Sequence, residues 1–234
     1  MGLARYRWRA LLDWRGDPRQ LWLSQRRVVK VHGLLRTGTN YASALLGENF
    51  FVHVLGPDKG GWKHGPINES EGVIFVVVVK SPYTWLESFY NWELIRGRTE
   101  AATLAEFVSA PVSHPQLAQA WQGRDPVDTW NKATASWTRP GHAGEVFVVR
   151  YEDLLAGLDA ELGRFSRRFS VTRRHRVPVD IAPRVGPGQD SVGPVDRGRY
   201  ALGAAPRLDD ELAALIEARL DPELMRELGY RLPV

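Results

Sequence analysis

Between Arg27 and Phe50 the chain reads RVVKVHGLLRTGTNYASALLGENF, a stretch whose residue types and spacing suit it to chemistry. An apolar run, Val28, Val29 and Val31, leads into Gly33-Leu34-Leu35-Arg36-Thr37-Gly38-Thr39-Asn40-Tyr41, and a helix-forming segment follows. Strand, glycine-bounded loop and helix in that order make a phosphate cradle. The glycines allow a tight turn, and backbone N–H groups at the helix N-terminus face the anion. The spacing G-x-x-x-x-G is that of a nucleoside-triphosphate loop up to its second glycine. Beyond it such a loop needs Lys and then Ser or Thr, where this chain has Thr39 and Asn40. The lysine for the β/γ-phosphates and the hydroxyl for magnesium are both missing, and a cation, Arg36, sits inside the loop instead. Such a loop is expected to hold a phosphate-like group without a metal, and not to take ATP as a kinase does.

A second cation stands where the same ligand could meet it. Val73 to Val79 is a solid run of β-branched and aromatic residues, as a parallel strand buried on both faces requires, and it stops at Lys80-Ser81-Pro82. Ligands of open α/β sheets gather at the carboxyl ends of strands, which brings Lys80 to the edge that carries Arg36. The elements around these residues alternate. Asn49–Leu55 reads as a short strand and 83–96 as a helix with Trp85, Phe89 and Trp92 on its core face. Residues 101–124 read as a helix and a loop broken at Pro111 and Pro115. Asp125 and Pro126 start a further helix as N-cap and first-turn proline. Glu145–Arg150 reads as a strand, followed by a helix from Tyr151 to about Phe169. Two helices, near 207–220 and 222–228, close the chain with Gly229 as C-cap. The expected fold is α/β, an open, mostly parallel central sheet flanked by helices.

The loop Arg36-Thr37-Gly38-Thr39-Asn40-Tyr41 resembles the 5′-phosphosulfate loop of sulfotransferases: a basic residue, Ser/Thr-Gly-Thr/Ser, then an aromatic. These enzymes share a P-loop-like fold and move a sulfuryl group from 3′-phosphoadenosine 5′-phosphosulfate (PAPS) to a hydroxyl or amine. The resemblance implies that Arg36, Thr37, Gly38, Thr39 and Asn40 hold the 5′-phosphosulfate and that Tyr41 packs near the adenine. Lys80-Ser81-Pro82 followed by Ser88 is similar to the 3′-phosphate segment, with Lys80 where the family has arginine. A point charge there replaces a bidentate fork. Arg150-Tyr151-Glu152-Asp153-Leu154 is similar to a family segment whose tyrosine, here Tyr151, lies at the adenine edge. Lys63-His64 resembles the Lys-x-His segment that supplies the general base, one residue tighter in spacing. His64 would then accept the acceptor's proton, with Lys63 at the bridging oxygen. His32, Glu48, His53 and Glu69 are other candidates for the base. Glu152 and Asp153 are expected to cap their helix rather than to catalyse. Residues 170–200, rich in Gly, Pro and Arg, fall where the family places a mobile basic loop over the nucleotide.

Length and composition agree with one such domain. At 234 residues the chain suits a single α/β unit over 27–234, preceded by a basic amphipathic segment, 1–26, expected to pack on it or to touch a membrane surface. The absence of cysteine excludes a disulfide scaffold, a thiolate metal site and a cysteine nucleophile. The longest apolar run is seven residues against the ~20 of a membrane span, and residues 1–27 are interrupted by arginines. A cytoplasmic bacterial enzyme is the expectation. No metal is required, and the acceptor is a hydroxyl, with a glycan or glycolipid favoured. Two other readings stay open: a small P-loop nucleotide kinase, disfavoured because the strand before Lys80 ends without an acid for magnesium, and a nonenzymatic anion- or nucleic-acid-binding module. The net charge of +4 is spread among acids rather than gathered in a stripe, which argues against nucleic acid.

Overall fold

In a computed structural model the described residues are 27–68, 72–139, 145–181 and 208–231. Their centre is a four-stranded sheet of β1 (Val28–His32), β2 (His53–Val54), β3 (Val73–Val79) and β4 (Glu145–Arg150), ordered β2-β1-β3-β4. All three pairings are parallel, β1 meeting β3 from Val28↔Val73 to His32↔Val77. Every residue of β3 is buried, as its unbroken apolar sequence requires. Its side chains alternate between two cores, Phe75 and Val77 on one face and Ile74, Val76 and Val78 on the other.

The helices divide between those faces. Packed with Ile74 and Val76 are α1 (Thr39–Asn49), α6 (Tyr151–Ala156) and α7 (Leu158–Phe169). Packed with Phe75 and Val77 are α2 (Pro82–Ile95), α3 (Leu104–Ser109), α4 (Pro115–Trp121), α5 (Pro126–Thr138), α8 (Asp210–Glu217) and α9 (Pro222–Glu227). The fold is the expected open α/β sheet between two helical layers. The chain leaves β1 towards β2 on one side and returns to β3 on the other, so a crevice opens beyond the ends of β1 and β3. The glycine loop after β1 and the Lys80 turn after β3 flank it.

Several boundaries differ from those read in the sequence. The expected strand over Asn49–Leu55 shrinks to two residues because α1 runs on to Asn49 and Phe50 pairs in an antiparallel bridge with Arg173. Pro115 does not break a helix but begins α4, behind His114, whose Nδ1 accepts from the Leu117 N–H at 3.4 Å. The long helix expected from Tyr151 is split at Gly157, which ends α6 and precedes α7. Asp125 caps α5 as expected, accepting from the Asp128 N–H at 2.8 Å, and Gly229 follows α9 with φ 68°. Residues 1–26, Glu69 and 182–200 of the expected basic loop lie outside the described residues. The described part of that loop is strapped to α1: the Asn49 amide donates to Val179 O and accepts from Val179 N.

Candidate functional site

The glycine loop is the hub on which the other segments converge. Gly33 leaves β1 with φ 154°, and a Cβ there would lie 2.5 Å from Val78 O. Gly38 is the left-handed N-cap of α1, φ 90°, and a Cβ there would lie 2.4 Å from the Tyr151 ring. Between them Arg36 is itself left-handed, φ 69°, a conformation that costs a non-glycine residue ~1–3 kcal/mol and is commonest at functional loops. Thr37 closes the turn, its hydroxyl donating to Leu34 O at 2.7 Å and its N–H to the same oxygen at 3.2 Å. What Thr37 gives the site is therefore loop shape.

Two helix N-termini aim at the crevice, and both lack a counter-charge of their own. Neither α1 nor α2 has a side-chain cap or an acid in its first turn. By contrast, α3, α5, α6, α7, α8 and α9 all carry acids there. The positive end of α1 is thus left for an external anion, whereas that of α2 already faces the Glu152 carboxylate. The α2 start is held by Glu152, whose Oε1 accepts the Ser81 N–H at 2.8 Å while Oε2 accepts the Tyr230 hydroxyl at 3.0 Å. Burial raises the Glu152 pKa against these bonds and the nearby Lys80 charge. Glu152 is thus a helix-capping group as expected, and the helix start it holds is that of α2, 71 residues away. Asp153 pairs with Arg150 at 2.7 Å, and Arg150 in turn donates to Leu228 O and Gly229 O at the end of α9.

The cations expected at the site surround the loop. Arg36 Nε approaches Ser88 Oγ on α2 at 3.5 Å. Lys80 is 2% exposed and holds its ammonium 5.4 Å from the centre of the Tyr151 ring, which also rests on Gly38. Tyr41 meets Tyr151 edge-on at 6.3 Å and donates its hydroxyl to Asp180 at 2.7 Å. Both rings are nearly covered, at 3% and 7%, so they offer a ligand an edge rather than an open face.

Lys63 and His64 reach the loop from the other side. The Gly33 N–H donates to Lys63 O at 3.1 Å, and Lys63 Nζ donates to Asn40 Oδ1 at 2.5 Å. Burial lowers the Lys63 pKa, against the pull of Asp58. His64 Nδ1 lies 2.6 Å from Gly33 O. A carbonyl only accepts, so Nδ1 of the neutral ring carries the proton and Nε2 keeps its lone pair. Burial pushes the imidazole pKa down to about 3, the Gly33 bond opposing and Lys63, His32 and His114 adding repulsion. His64 is therefore neutral at pH 7.

The other candidate bases are engaged elsewhere. His32 is fully buried in β1 with its ring edge-on to Phe75 and Trp137, a core position. Glu48 faces His175 at 3.4 Å, and His53 lies in the short strand β2. Trp130 is 1% exposed and belongs to the core. Trp62 is half-buried, edge-on to His64 at 5.3 Å and stacked over His114 at 6.2 Å.

These loops are fixed by residues that the motifs did not single out. Four buried indoles donate to main-chain carbonyls of the site: Trp85 to Leu35 O, Trp121 to His64 O, Trp137 to Gly65 O and Trp130 to Lys80 O, at 2.7–3.1 Å. A buried indole N–H needs an acceptor, and loop carbonyls outside the ladders are the ones available. Nine tryptophans in 234 residues were the only advance signal.

Among the described residues no helix is long and apolar enough to cross a membrane. No protein-family model matches the chain, and no curated protein does. Among solved structures the chain is similar to the sulfotransferase domain from the curacin biosynthetic pathway, at 15% identity and a TM-score of 0.36. That similarity covers 78% of this chain and 63% of the other.

Proposed function

We propose that the chain is a sulfotransferase that moves a sulfuryl group from PAPS to an acceptor hydroxyl. The observation that carries the reading is the glycine loop with an internal arginine, placed against the buried cation Lys80 and the N-terminus of α1, which has no acid of its own. Such a site suits a ligand with two separated anionic groups. Arg36, Asn40 and the backbone N–H groups around Gly38 and Thr39 would hold the phosphosulfate. Lys80 and Ser88 would hold the 3′-phosphate, and the edges of Tyr41 and Tyr151 would meet the adenine.

The donor supplies an activated sulfur whose leaving group is the 5′-phosphate. As the acceptor oxygen bonds to sulfur and the sulfur–oxygen bond to phosphate breaks, His64 Nε2 takes the hydroxyl proton. Arg36 and Lys63 offset the charge left on the phosphate. A glycan or glycolipid hydroxyl is the acceptor class proposed, with Trp62 beside His64 as the ring surface nearest the base.

Calorimetric titration with adenosine 3′,5′-bisphosphate tests the reading, with ATP plus magnesium and an oligonucleotide as comparisons. Metal-independent, saturable binding of the bisphosphate is expected, weakened at least ten-fold by Arg36→Ala. Preference for ATP with magnesium would restore the kinase alternative. Salt-sensitive binding of the oligonucleotide alone would favour a binding module.

A further inference from the structure

Lys30 lies in the middle of β1 and is 1% exposed. Its ammonium donates to four main-chain carbonyls, Gly56 O at 2.9 Å, Pro57 O at 2.8 Å, Lys59 O at 2.8 Å and Gly61 O at 3.0 Å. An ammonium has three N–H bonds, so one is shared, and the group fills a carbonyl cage much as a bound monovalent cation would. Gly60 and Gly61, at φ 77° and 102°, give the loop the left-handed turns that such convergence needs. Inside residues 56–61 the loop makes one backbone bond of its own, Lys59 N–H to Gly56 O at 3.2 Å.

This loop runs straight into Trp62-Lys63-His64, and the next fastening is to Gly33, the residue that follows β1. Lys63 O and His64 Nδ1 both bond Gly33, three residues beyond Lys30. The strand therefore acts as a ruler: two clamps on one rigid element, about 10 Å apart at ~3.3 Å per residue, hold the segment between them. Asp58 and Lys63 are the charges that bear on Lys30, the first favouring its ammonium and the second opposing it, while burial is the main force lowering its pKa to about 8.

We propose that Lys30 is the positioning residue of the base loop: its ammonium gathers the carbonyls of residues 56–61 and so sets where Lys63 and His64 meet the phosphate loop. The assignment of a base to this loop rests on the sulfuryl-transfer reading; the clamp itself does not.

Lys30→Met keeps the stem and removes every donor, and Lys30→Gln keeps two N–H bonds on a shorter arm. Nuclear magnetic resonance on the whole chain reads the result. In Lys30→Met the Gly33 amide and the His64 Nδ1 proton should exchange at least ten-fold faster, and the ring should lose its single Nδ1-protonated signature. Lys30→Gln should fall between. The Val76 and Val78 amides should exchange as in the wild type. Wild-type exchange and an unchanged His64 signature in a folded variant would overturn the proposal. So would uniform acceleration across the sheet, or failure of both variants to fold, either of which makes Lys30 a general folding residue. Failure of the wild-type protein to bind the bisphosphate would instead defeat the transferase reading while the exchange data still decide the clamp.

Discussion

Replacing His64 by Asn should flatten the acid side of the stability curve. The imidazole is 6% exposed, its pKa is lowered to about 3 by burial, and its Nδ1 faces Gly33 O at 2.6 Å. In the unfolded chain the same ring titrates at about 6.5. Between these values the unfolded state binds a proton that the native state refuses, so stability is lost as pH falls below 6.5. The slope approaches about 1.4 kcal/mol per pH unit. Going from pH 7 to 4.5, His64 alone should remove roughly 3 kcal/mol, a large share of a ~5–15 kcal/mol total. Asn can offer its amide N–H to Gly33 O much as Nδ1 does, but does not titrate. Urea unfolding at half-unit steps of pH should show the variant less stable near neutrality, because the ring is lost, and the gap closing by that amount at pH 4.5. Other carboxylates and His114 contribute equally to both curves. Parallel curves from pH 7 to 4.5 would refute the claim that burial at the loop holds His64 neutral.

Gly38→Ala should abolish bisphosphate binding and destabilise the fold by ~1–3 kcal/mol, since the new Cβ would meet the Tyr151 ring at a positive φ; thermal unfolding and calorimetry check both halves. Lys80→Met should erase most of the preference for adenosine 3′,5′-bisphosphate over adenosine 5′-phosphate. Equal losses for the two ligands would remove Lys80 from the 3′-phosphate. Trp130→Phe keeps an aromatic ring, though a smaller one, and strips the donor to Lys80 O. It should cost ~1–3 kcal/mol for the carbonyl left unpaired and weaken the bisphosphate more than adenosine 5′-phosphate, as paired titrations would show.

Much of the fold was written locally. The β3 run, the Gly33–Gly38 loop and the Asp125-Pro126 start are decided by neighbours in sequence, and each stands where the residues place it. The meeting of Arg36 and Lys80 was legible from their places at the carboxyl ends of β1 and β3, whereas that of Lys63, His64 and Ser88 with them was legible only through the resemblance. What stayed hidden depends on distant partners. Lys30 in Val-Val-Lys-Val looks like an ordinary strand residue facing water, and only the carbonyls of 56–61 explain its burial. Asn49 belongs to a helix because Leu45 O and the Val179 backbone satisfy its amide. Glu152 was readable as a helix-capping group, but not that it reaches the helix start at Ser81, 71 residues away.

The tryptophan bonds also impose an order of assembly. β1, α1 and β3 can gather around their valines and leucines with contacts made early in the chain. The loops at their ends cannot take final shape until Trp121, Trp130 and Trp137 have docked, and those partners lie 50 to 72 residues away from the carbonyls they hold. Closing such long spans is the slow part of folding for this topology. A nascent chain ending before α5 could collapse into a sheet with an apolar core and still have no usable site. Competence for ligand thus arrives last, as a sign that the far half of the domain is in place.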